Sequence, residues 1–126
     1  MTTTLRHITI IALLAMMVCS CNEGHRAKGL VKDFMADNLK EGLEMEDETF
    51  SALDSTQRVT PSTVETLRKE ARNIPNFKSD VSFSQAPTQT LKYMRVTYRI
   101  GEDTTLFHQT FYFDQNVNGI VVCKNY

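Results

Sequence analysis

Apolar positions along this chain change their spacing from one segment to the next, and each spacing predicts a different element. From Ile8 to Val18 they form a nearly unbroken run, Ile-Thr-Ile-Ile-Ala-Leu-Leu-Ala-Met-Met-Val. Leu30, Val31, Phe34, Met35, Leu39 and Leu43 then recur at threes and fours, which lines one face of a helix. A second, short helix is predicted over about Asp47 to Ser55, where carboxylates gather ahead of Phe50 and Leu53, because a helix start welcomes negative charge. A third begins near Pro61: Thr60 can cap it with Pro61 at the first helical position, or Ser62 can cap it with Glu65 three residues on. Val64, Leu67, Ala71 and Ile74 carry it to Pro75.

Beyond Lys78 the period falls to two. Val81 and Phe83 alternate with serines, and Leu91 to Ile100, Thr105 to Phe113 and Ile120 to Lys124 read as strands rich in β-branched and aromatic residues. A hairpin at Gly101 to Thr104 puts Tyr98 opposite Phe107, Val96 opposite Gln109 and Met94 opposite Phe111. A slip of one residue would set arginines beside those aromatics, so apolar pairing selects this register. The same reasoning places Phe113 opposite Ile120, Phe111 opposite Val122 and Cys123 opposite Thr110, with Gln115 to Asn118 at the second tip. The expected fold class is α+β, N-terminal helices packed on a curved antiparallel sheet of about four strands, with all the helices on its apolar face.

The opening run changes the picture of where the chain works. It is too short for a transmembrane helix, which needs about 20 apolar residues, but with Arg6 ahead of it and small residues behind it fits a cleavable signal. Val18-Cys19-Ser20-Cys21 resembles the lipobox of bacterial lipoproteins: an aliphatic residue, a tolerant position, a small residue, then the acylated cysteine. The resemblance implies a signal peptide over 1–20, lipid on Cys21, a polar tether over 21–28 and a single α+β domain over 29–126. It also implies attachment to the bacterial cell envelope, the outer membrane ahead of the inner.

Composition then narrows the chemistry. The formal net charge is −1 and the only basic residue of the leader is Arg6, so no basic surface of the kind nucleic-acid binders need is expected. Of the three cysteines, Cys19 would leave with the leader and Cys21 would carry lipid, which leaves Cys123 without a disulfide partner. The order of helices first and long antiparallel strands last, closed by Gly-Ile-Val-Val, is similar to the cystatin-like and NTF2-like folds of small bacterial lipoproteins. That likeness implies a sheet partly wrapped around the first helix, whose interior holds a ligand in some relatives and is filled in others.

Single motifs carry less. Gln115-x-Val117-x-Gly119 resembles the wedge loop of cystatin protease inhibitors, but one strand rather than two follows it, the chain has no Trp, and Gly24 would sit against the membrane. Asp114-x-Asn116-x-Asn118-Gly119 opens like a calcium loop but reaches Asn125, not glutamate, at the twelfth position. His108 has no ligands at zinc spacing, and Cys123 no base to activate it. No pair of groups suited to acid and base work comes together, so the expectation is a non-enzyme without cofactor or metal. Gln109 is the one polar residue on the inner face, and Met94, Val96, Tyr98, Phe107, Gln109 and Phe111 form the candidate ligand pocket. The alternative is a partner face on the outer side, Tyr93, Arg95, Arg99, His108 and Tyr112. The sequence therefore points to a lipid-anchored binding or interaction module. Its partners would be the membrane, through Cys21, and an unidentified protein or small molecule. Protease inhibition stands behind both.

Overall fold

The computed structural model describes residues 22–126. The signal peptide expected over 1–20 and the lipid expected on Cys21 lie outside the described residues. The first helix, α1, spans 22–38, so the segment expected as a tether forms its first two turns. Ala27 explains this: with Val31 and Met35 it repeats every four residues, and all three are buried. Polar neighbours fasten the same turns. Glu23 pairs with Lys92, and the Arg26 guanidinium donates to the carbonyls of Asn116 and Val117 at 2.8 and 3.0 Å. The helix ends at Asn38, well before Leu43, where the backbone pairs instead with 76–78: the Lys40 amide donates to the Asn76 carbonyl at 2.9 Å and the Lys78 amide to the Asn38 carbonyl at 2.8 Å. The chain then turns through Gly42 at φ +84, a conformation glycine adopts without strain.

No second helix follows. Met45–Phe50 is strand β1 and Asp54–Thr56 is strand β2, both paired antiparallel with β3, Leu91–Ile100. Met45 and Phe50 are five residues apart and would face opposite sides of a regular strand. A bulge with Asp47 at φ +51 resets the phase between Glu46 and Thr49, so that both pack against the core. That extra residue also hides the strand period from the sequence.

The next helix, α2, runs Pro61–Ala71 and starts as expected, with the Thr60 hydroxyl accepting from the Thr63 amide. Strands β4, Phe107–Phe113, and β5, Ile120–Asn125, complete a five-stranded sheet of order β1-β3-β4-β5, with β2 beside β1 on the same edge of β3. Val81 and Phe83 join no strand, although Val81 is buried and Phe83 stacks on Phe34 at 5.4 Å.

The β3–β4 register is the expected one, Tyr98 opposite Phe107, Val96 opposite Gln109 and Met94 opposite Phe111. The β4–β5 register is not. A bulge between Tyr112 and Phe113 keeps Phe113 opposite Ile120 but shifts Phe111 onto Cys123 and Thr110 onto Lys124, turning Cys123 into the core.

The two helices part company across the sheet, contrary to the expectation of one covered face. The face of α1 built from Ala27, Val31 and Met35, continued by Leu39 just past its end, buries Met94, Val96, Tyr98 and Phe111. Val64 of α2 packs instead with Leu91, Tyr112, Val121 and Val122, with Leu67 and Tyr93 against them. Arg68 of α2 donates to the carbonyls of Val121 at 3.0 Å and Gln85 at 2.7 Å.

Candidate functional site

The residues expected to line a pocket fill the core instead. Val96, Tyr98 and Phe111 are wholly buried, as are Met94 and Gln109 to within one per cent, and Phe107 stacks on Tyr98 at 5.6 Å. The Gln109 amide donates to Asn125 Oδ1 at 3.2 Å, while Tyr98 Oη and Gln109 Oε1 have no hydrogen-bond partner. Burial, with the Cys123 thiol nearby, raises the Tyr98 phenol far above its ordinary value, against a smaller opposing pull from the Gln109 side chain. Burial alone does the same to the Cys123 thiol, which keeps it protonated and unreactive at neutral pH.

The outer face is divided. Tyr112 is only 6% exposed beneath α2, and Tyr93, half-buried, tilts against it at 6.1 Å. Beyond them the face is open. Arg95 and His108 are exposed, Arg95 lying 5.3 Å over the Tyr126 ring and His108 meeting the same ring edge-on at 5.4 Å. Arg99 reaches Asp47 at 3.7 Å. Tyr126 and Lys124 belong to this surface and were missed, since only continuation of the β5 pairing to the Tyr126 amide brings them there.

The Gln-x-Val-x-Gly loop is built from within. Val117 is fully buried at φ +53, and the Asp114 carboxylate accepts the amides of Asn118 and Gly119 at 2.8 and 3.0 Å. Only Gln115 and Asn116 at its tip are well exposed together, so the valine that a wedge would insert is already packed. The Asp-x-Asn-x-Asn-Gly reading of the same residues resolves into this carboxylate-capped turn. Among the described residues no three His, Cys, Asp or Glu side chains gather as metal ligands do.

Two open clefts flank α1, and sequence reasoning found neither. At its C-terminal end a cleft of about 660 Å³ has a floor of Met35, Leu39, Leu43 and Met45, rimmed by lysines 32, 40 and 78 and by glutamates 41, 44 and 48. At its N-terminal end a cleft of about 560 Å³ lies between Gly24, His25 and Lys28 and the chain from Phe50 to Leu53. The apolar residues set within the acidic stretch, Leu43 and Met45, are the one sequence signal for the first; reading that stretch as the approach to a helix concealed it. Among the described residues no helix is long and apolar enough to cross a membrane. Comparison of the chain with protein-family models, with characterised proteins and with solved structures finds no match.

Proposed function

We propose that this protein is a non-catalytic, lipid-anchored binding module of the bacterial cell envelope, attached through Cys21, whose ligand enters the cleft between the end of α1 and the start of β1. The observation that carries the binding role is that cleft: its volume of about 660 Å³ falls in the range of small-molecule sites, and it sets an apolar floor beneath a charged rim, a more polar lining than most such sites have. Three lysines and three glutamates around one apolar floor suit a ligand with an apolar body and polar groups of both signs. The sequence supports the anchor through Arg6, the apolar run and Val18-Cys19-Ser20-Cys21. A cystatin-like or NTF2-like relationship is part of the same proposal. A long helix laid against one face of an antiparallel sheet supports it, and α2, set between β2 and β3, is a departure from the expected order.

The test uses the full-length protein and an uncharged fluorescent probe, N-phenyl-1-naphthylamine. Binding in the cleft raises the fluorescence, and Leu43→Lys, which puts a charge on the floor, abolishes the rise while leaving the circular dichroism unchanged. A rise that survives this substitution, or none at all, removes the cleft as the site. A second reading is favoured by the open half of the outer face, where Arg95, His108 and Tyr126 form one contiguous exposed patch. Protein capture lost on Arg95→Glu with Arg99→Glu, and kept on Leu43→Lys, would select it over the cleft.

A further inference from the structure

We infer that the N-terminal end of α1, together with the β1–β2 connection, is a membrane-docking surface that lies flat on anionic lipid headgroups. This rests on the reading of Cys21 as the lipidated residue. Residue 22, directly after that cysteine, is already helical, so no slack separates the lipid attachment from α1. A helix rises 1.5 Å per residue, so Lys28 is about 10 Å along the axis from the lipid attachment. The headgroup layer on each side of a bilayer is roughly 5–7 Å deep, and helical side chains lean back toward the N-terminus. Groups on the first two turns are therefore held at the lipid surface by the covalent geometry alone.

What stands there has the composition of an interfacial surface. His25, Arg26, Lys28 and Lys32 are exposed on α1. The ammonium groups of Lys28 and Lys32 sit 5.8 and 6.0 Å from the centroid of the Phe50 ring, leaving that ring and Leu53 at the mouth of the N-terminal cleft beneath cationic heads. Long cationic side chains over an aromatic ring can shift toward phosphate while the ring meets the acyl boundary. Of the acids close by, Glu23 is already taken by Lys92, which leaves Asp33 beside Lys32 and Asp54 beyond Leu53 against the four basic side chains. Cations near such a surface are drawn to anionic lipid with a strength that salt screens. The opposite end of the domain differs in charge, its β3–β4 connection carrying Glu102 and Asp103 beside the exposed Leu106.

The experiment uses the full chain, expressed so that it is processed and lipidated, and reconstituted in vesicles of phosphatidylcholine with phosphatidylglycerol. Cys123 is buried, so an introduced thiol at Ala52→Cys, or at Glu102→Cys in a second sample, can be labelled alone with an environment-sensitive dye. Docking predicts that lipid carrying a shallow nitroxide quenches most of the Ala52→Cys signal and little of the Glu102→Cys signal. Lys28→Glu with Lys32→Glu then lowers the first on anionic vesicles and leaves it unchanged on pure phosphatidylcholine. Equal quenching at the two sites in protein that floats with the vesicles and shows the lipid mass overturns the docking surface and leaves the anchor intact. Protein without the lipid mass that stays out of the floating fraction overturns the anchor, and the docking surface with it.

Discussion

The two faces of the sheet are made from alternate residues of the same strands and have opposite fates. On the inner face Met94, Val96, Tyr98, Gln109 and Phe111 are closed off by α1; on the outer face Tyr112 is closed by α2 while Arg95 and His108 remain in water. The difference follows from the helices' lengths and attachments. The helix α1, 22–38, is long enough to lie along β3, fastened near one end by Glu23 to Lys92. The shorter α2, Pro61–Ala71, sits beside β5 and shields only the end of the sheet that holds Leu91, Tyr112 and Val122. Burial is thus set by which helix reaches a strand, and the strands' own alternation merely offers two faces.

A charge on the filled face gives the largest effect. Val96→Asp buries an unpaired carboxylate and costs more than about 4 kcal/mol, the range of unpaired buried charge, enough to leave most of the protein unfolded in a urea titration. Next comes the covered end of the outer face. Tyr112→Ala is expected to cost about 3 kcal/mol, as for other large-to-small core changes, and a value near zero would show that α2 does not bury this face.

Alkaline pH acts through the filled face as well. Tyr98 and Cys123 hold their protons more tightly folded than unfolded, so the unfolded chain ionises first, from about 8.5 for a thiol and about 10 for a phenol. Their contribution is complete below those values and is lost as pH rises above them, by about 1.4 kcal/mol per pH unit for each group until the folded value is reached. Cys123→Ala moves the onset of the loss from the thiol range to the phenol range, and denaturation midpoints measured across that interval read it directly. The smallest effect belongs to the open part of the outer face. Arg95→Ala or Tyr126→Ala changes stability by less than about 0.5 kcal/mol; a thermal shift as large as that of Tyr112→Ala would erase the distinction between the halves of that face.

The same contrast explains what could be read from the sequence. Where one strand faces another without interruption, side-chain chemistry chose the register, as at Tyr98 with Phe107 and Val96 with Gln109. The Thr60 cap was legible because capping is local. Failures gathered where one extra residue resets the phase. The bulge at Asp47 disguised β1 as a helix, and the one before Phe113 sent Cys123 inward. The polar first turns of α1 were taken for a tether because their apolar contribution is a single small residue, Ala27, and their remaining anchors, Arg26 and Glu23, act at long range. The cleft beyond α1 was hidden for a related reason, since it depends on where the helix ends and the chain turns at Gly42.

The bulge at Asp47 has a consequence for crowding. β1 lies at one edge of the sheet, and an unblemished edge is a template on which another copy can add its own strand. Here the backbone kinks midway, and Glu46, Asp47 and Glu48 stand in succession along it. The opposite edge at β5 is occupied by Arg68, which holds the Val121 carbonyl. Two copies that meet border to border therefore find a kinked, acidic strand on one side and a carbonyl already taken on the other, both of which work against strand addition.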